Sequence, residues 1–92
     1  MGKMIAKGRN FSVSAYFPAR LAFTPEGNAK EKLINRLAKE SNGLCVGSGT
    51  LFAGKRPLRD VQFMFRVRAD ATKFLHKLAS RHIRRSGISN FS

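Results

Sequence analysis

Val61, Phe63, Phe65 and Val67 alternate with Gln62, Met64, Arg66 and Arg68. Successive side chains of a strand point to opposite faces, so this segment reads as a strand with one apolar face and one polar face. A strand of this kind belongs to a sheet that is covered on one side and open on the other. The same period of two runs earlier in the chain, where Phe11, Val13, Ala15 and Phe17 alternate with Ser12, Ser14 and Tyr16. Pro18 ends that ladder, because proline has no N–H to donate.

The layer that covers such a sheet is visible as two segments with helical spacing. Thr24, Pro25 and Glu26 have the form of an N-cap, a first helical proline and an early acid, although Gly27 and Asn28 also allow a later start. Ala29, Leu33, Ile34, Leu37 and Ala38 then form one stripe, with Lys30, Lys32, Arg36, Lys39 and Glu40 facing away. Asn42 and Gly43 supply a left-handed stop near Ser41. In the second helix Asp70 is the expected cap. Phe74, Leu75, Leu78 and Ala79, extended by His82 and Ile83, make the buried stripe, and the helix ends before Gly87.

Between the helices, Leu44 to Ala53 reads as a strand bulged around Gly47 and Gly49. A loop at Gly54 to Arg59 joins it to the strand at Val61 as an antiparallel hairpin. Ile88 to Phe91 is either a short last strand or a tail. The order strand, helix, strand, strand, helix predicts an α+β fold on the ferredoxin-like plan, an antiparallel sheet with two helices on one face. The expected organisation is a flexible basic arm over 1–10 and a single α+β domain over 11–92.

The 92 residues are 42% hydrophobic and include eight Phe, which supports one modest core. Eighteen Lys and Arg stand against five Asp and Glu, a formal charge of +13. That imbalance points to an anionic partner: nucleic acid, an acidic protein surface or an anionic membrane surface. No apolar run suits a membrane span or a signal segment, so no membrane insertion and a cytoplasmic location are expected, that of the host cell if the chain is phage-encoded.

Little here suits catalysis. The lone Cys45 opens an apolar strand, where a buried thiol acts as a small hydrophobe. His76 and His82 fall at the wrong helical spacing to share a metal, and no Cys and His cluster has zinc spacing. Glu26, Glu31, Glu40, Asp60 and Asp70 have the positions of helix-start, ion-pair and turn residues and leave no acid–base pair. Gly47, Ser48 and Gly49 lead into a strand with no P-loop lysine behind them. The expectation is no enzyme, no metal and no cofactor.

The basic residues carry the functional expectation. Lys73, Lys77 and Arg81 recur at i, i+4 along the second helix, and Arg84 and Arg85 extend this stripe without an acid on the same face. Lys55, Arg56 and Arg59 cluster in the hairpin loop around Pro57, and Lys3, Lys7 and Arg9 lie in the arm. Tyr16, Met64, Arg66 and Arg68 fall on the open sheet face. The RNA recognition motif shares this element order and stacks bases on sheet aromatics. Here Phe63 and Phe65 are in phase with Val61 and Val67 and belong to the core, so that mode of stacking is not expected.

The leading expectation is a non-catalytic module that contacts the phosphates of DNA or RNA through the basic helix, hairpin loop and arm. The alternative is a small inhibitor or adaptor, of the kind phages direct against host nucleic-acid enzymes or defence complexes. It would dock its basic face on a larger protein, with Tyr16 and Met64 as exposed anchors. Homodimerisation through the bare sheet face or an unpaired edge is a third outcome the pattern allows.

Overall fold

A computed structural model describes residues 10–52 and 56–90. The elements are β1 (Phe11–Pro18), a 3-10 turn (Ala19–Leu21), α1 (Pro25–Glu40), β2 (Leu44–Leu51), β3 (Leu58–Phe65), α2 (Arg68–Ser80), β4 (Arg84–Arg85) and β5 (Ser89–Asn90). The expectations for the arm at 1–9, for Lys55 and for Phe91 fall outside the described residues.

The sheet order is β2-β3-β1-β4, with β5 also paired to β1, and every pairing is antiparallel. Val13, Ala15 and Phe17 of β1 and Val61, Phe63 and Phe65 of β3 form one core with Ile34, Leu37 and Ala38 of α1 and Ala71, Phe74 and Leu78 of α2. Those strand residues share one phase, so both helices lie on one face. This is the ferredoxin-like plan that the element order predicts. Phe74 is the centre of the packing: its ring meets Phe63 edge-on at 5.2 Å and Phe65 at 5.4 Å. Each such pair contributes about 0.5–1.5 kcal/mol beyond the area it buries.

Thr24 caps α1 by accepting the Gly27 N–H at 3.0 Å, and Pro25 opens the helix. Gly27 does not delay the start. It is required in the first turn because a Cβ there would collide with the Leu21 carbonyl. Both helices end in the same hydrogen-bonded reversal. Asn42 (φ 63°) donates to the Lys39 carbonyl while Gly43 donates to Ala38. His82 (φ 56°) donates to Ala79 while Ile83 donates to Leu78. These are Schellman turns with non-glycine residues in the left-handed position. The glycine of the first turn serves a different need, since a Cβ at Gly43 would meet the Phe65 ring.

Several expectations are corrected. Asp70 does not cap α2: Val67 is the N-cap, with no side-chain cap hydrogen bond, and Asp70 lies in the first turn. Val67 is half exposed because β3 has already ended at Phe65 and the alternation runs past the strand. Met64 and its register partner Ser12 are both buried on the face away from the helices, so that face is not bare there. Cys45 is exposed, because β2 is the edge strand and its residues lie at the rim of the core. The bulge falls between Cys45 and Gly47.

Candidate anion-binding site

The second Schellman turn determines where the basic residues of the C-terminal segment go. α2 stops at Ser80, Arg81 is its C-cap, and the reversal at His82 turns the chain back along β1. Arg84 and Arg85 are therefore not on the helix. They form β4, with Arg84 opposite Tyr16 and Arg85 opposite Ala15. Ser86 continues this edge: its N–H donates to the Ser14 carbonyl, and its hydroxyl accepts the Ser14 N–H, both at 2.9 Å.

This placement lines a cavity of about 240 Å³ between the middle of α1, the C-terminal end of α2 and the end of β1. Tyr16, Lys30, Arg81, His82 and Arg84 supply its polar lining. Phe17, Pro18, Ile34, Leu58 and Ile83 supply the apolar part. Arg84 also borders a wider depression of about 580 Å³ with Arg20, Arg56 and Pro57. On its other side a third, of about 720 Å³, lies against Leu75, Ala79 and the turn from His82 to Gly87. No Asp or Glu lines any of the three.

Three of the five carboxylates, Glu31, Glu40 and Asp70, are engaged elsewhere. Glu40 accepts from Lys77 Nζ at 3.1 Å, so the helical stripe does meet an acid, supplied by α1 and not by its own helix. The hydrogen bond from Lys77, and then its charge, hold the Glu40 carboxyl below the usual carboxylate range. Glu31 pairs with Arg59 Nε at 3.3 Å. Arg59 belongs to β3 and not to the loop; it also donates to Ser48 Oγ at 3.1 Å and lies over the Phe23 ring at 5.4 Å from its centroid. Asp70 Oδ2 accepts from Asn42 at 3.5 Å. Asp60, opposite Tyr16 in β3, has a buried Oδ1 that takes no hydrogen bond from the described residues.

The sequence-predicted site residues therefore separate into groups. Tyr16, Arg81 and Arg84 line the cavity, and Arg56 borders the adjoining depression. Arg85 lines only the third depression, with its guanidinium donating to the Ile83 carbonyl at 3.0 Å. Lys77 and Arg59 are held in ion pairs. Lys73 is exposed on α2 away from the cavity. Arg66 and Arg68 do not share the open sheet face: Arg66 follows the end of β3 and Arg68 begins α2. Sequence reasoning missed Lys30 and Arg20 as partners of this site. Lys30 was readable only as a solvated position of α1, and Arg20 follows the strand in a 3-10 turn with no pattern of its own.

Among the described residues no group of His, Cys, Asp and Glu is placed to hold a metal, and no described helix is long and apolar enough to cross a membrane. No protein-family model matches the chain, and no curated protein matches it. Among solved structures it is similar to the C-terminal domain of the MgtC protein from Mycobacterium tuberculosis. The TM-score is 0.52 at 12% identity, over 90% of this chain and 92% of that one. At that identity the likeness concerns the fold alone, and the fold hosts many unrelated functions.

Proposed function

We propose that this chain is a non-catalytic nucleic-acid-binding module that holds phosphates at the end of the sheet where Arg20, Lys30, Arg56, Arg81 and Arg84 converge. The observation that carries the reading is the placement of Arg84 in three adjoining depressions, none of them lined by a carboxylate. Unneutralised cations in concave surface attract polyanions and release the counterions condensed on them. DNA and RNA present the same phosphates to such a surface, so the contacts are read as backbone-positioning contacts and not as base readout. Direct titration with generic duplex and single strands at low and raised salt tests the reading. Absence of binding at low salt overturns it.

A second reading, contact with protein, is favoured by one observation. The anchors first expected for it are gone, since Met64 is buried and Tyr16 is partly buried. Large apolar side chains are exposed elsewhere: Leu44, Leu51 and Phe52 along and just beyond β2, with Phe23 and Val67 apart from them. β2 is an edge strand, and from Ser41 to Gly54 the sequence holds no charged residue. In a chain of charge +13 that is where a second copy can approach with least repulsion.

A further inference from the structure

We infer that the 240 Å³ cavity is a receptor for a phosphate monoester, the terminal phosphate of a strand, and not merely one more stretch of positive surface. The inference rests on the reading above and narrows it.

Size comes first. Pockets for drug-sized ligands occupy roughly 300–1,000 Å³. At about 240 Å³ this cavity lies just below that range, a size that suits a compact head group with the rest of its carrier left outside. Charge comes second. Lys30, Arg81 and Arg84 face the same space from α1, the end of α2 and β4, and no carboxylate lines it. A phosphate monoester carries about −1.5 to −2 charge at neutral pH, against a single charge for the diester that links nucleotides. Three convergent cations therefore favour the monoester, and arginine adds planar paired donors that match its oxygens. Tyr16 and His82, both in the lining, add side chains with further hydrogen-bonding capacity.

Shape comes third. Ile34 and Ile83 are packed into or against the core and close the inner side of the cavity. An end group enters a recess that is closed on one side, whereas an internal phosphate needs an exit for the chain in both directions. Of the two depressions that adjoin the cavity, the one that shares Pro18, Leu58 and Arg84 with it carries two further arginines, Arg20 and Arg56, whereas in the other the Arg85 guanidinium is held by the Ile83 carbonyl. A strand with its terminal phosphate in the cavity would lay its next phosphates along Arg20 and Arg56.

The same monoester chemistry occurs at a strand end and in free inorganic phosphate, and the test separates the two. The binding of short oligonucleotides is measured with a 5′-phosphate, a 3′-phosphate and hydroxyls at both ends, each with and without inorganic phosphate as competitor. The expected result is at least about tenfold tighter binding of one phosphorylated end, the worth of one or two charge-assisted hydrogen bonds. Inorganic phosphate should remove that advantage and leave the residual affinity of the hydroxyl-ended strand.

Lys30→Ala and Arg84→Ala should each abolish the discrimination. Lys73→Ala, an equal change of charge on an exposed position away from the cavity, should preserve it. Circular dichroism of each variant confirms folding, and both cavity substitutions fall on exposed side chains. Equal binding of phosphorylated and hydroxyl ends overturns the inference while leaving nucleic-acid binding intact. Discrimination that survives both cavity substitutions also overturns it. Absence of binding by every oligonucleotide would instead remove the broader reading. Tight binding of inorganic phosphate without any strand-end preference would assign the cavity to a free anion and overturn the strand-end inference.

Discussion

Lys77 Nζ lies 3.1 Å from Glu40 Oε1, an ion pair that joins the two helices across the surface of the layer. It changes the meaning of the basic stripe on α2, because one of its charges is already answered within the fold. Both side chains remain partly exposed, so solvent screens the pair and its contribution to stability is small.

The pair gives stability a pH dependence of known sign. The Lys77 hydrogen bond and charge lower the Glu40 pKa, with Arg36 and Arg81 adding in the same direction against a desolvation effect that raises it. The folded value therefore lies below the unfolded one. The stability this supplies is fully present above the unfolded pKa and is lost as pH falls through the folded pKa. Urea midpoints of the wild type and Glu40→Gln should differ at neutral pH and converge as pH falls through the lowered folded pKa. A gap that persists under acid would show that Glu40 acts by something other than its charge.

Core packing predicts a far larger effect. Phe63, Phe65 and Phe74 are all buried and their rings touch. Phe63→Ala or Phe65→Ala should cost about 3–5 kcal/mol, enough to unfold much of a marginal small domain. Equilibrium denaturation measures it, and losses below about 1 kcal/mol at both positions would contradict the observed strand phase.

Cys45 is predicted to be both accessible and dispensable. Its exposure on edge strand β2 means that a thiol reagent should label the native protein without prior unfolding. Cys45→Ser should change stability by no more than about 0.5 kcal/mol, as expected of a surface site. Slow labelling governed by unfolding would show the edge to be covered.

Self-association through that edge is tested at the same strand. Sedimentation should show a mass that rises with concentration. Thr50→Lys, on an exposed β2 position, should hold the chain monomeric, since a charge is the usual way natural edges are protected from pairing. A monomer at all concentrations would remove the second reading.

Much of this architecture was legible because periodicity reports burial directly. The alternation over Phe11 to Phe17 and over Val61 to Phe65 gave the two central strands and their core faces, and Thr24 with Pro25 marked the start of α1. Periodicity also misled where it ran beyond its element. Val67 continues the strand phase but caps a helix, and Met64 is polar-phase yet buried. The cavity was illegible for a more specific reason. Its formation depends on α2 ending at Ser80 and the chain reversing at His82, a residue that gives no stop signal, while Gly87 gave a false one. A helix that ran on to Gly87 would put Arg84 in a stripe with Lys77. With the reversal in place, Arg84 lies opposite Tyr16 and beside Lys30 and Arg81.

That difference sets the last prediction, which distinguishes the helical stripe from the cavity as the source of affinity. Each phosphate neutralised contributes about −0.7 to −0.9 to the log–log slope of affinity against salt. If the stripe were the binding surface, replacing Lys73 and Lys77 by Ala would flatten the slope by roughly the same amount as replacing any two cations. The observed geometry predicts an unequal outcome. Lys77 is paired with Glu40 and Lys73 stands away from the depressions, so the double substitution should leave the slope nearly unchanged. Arg81 and Arg84 face the cavity without an acidic neighbour in its lining, so Arg81→Ala with Arg84→Ala should flatten it by about one to two units and weaken all sequences alike. Both double variants remove the same formal charge, which excludes long-range attraction as the cause of a difference between them. Fluorescence anisotropy at several salt concentrations reads the slopes. Equal flattening by the two pairs would place the affinity in the overall charge of the chain, and a larger effect of Lys73 and Lys77 would return the binding surface to α2.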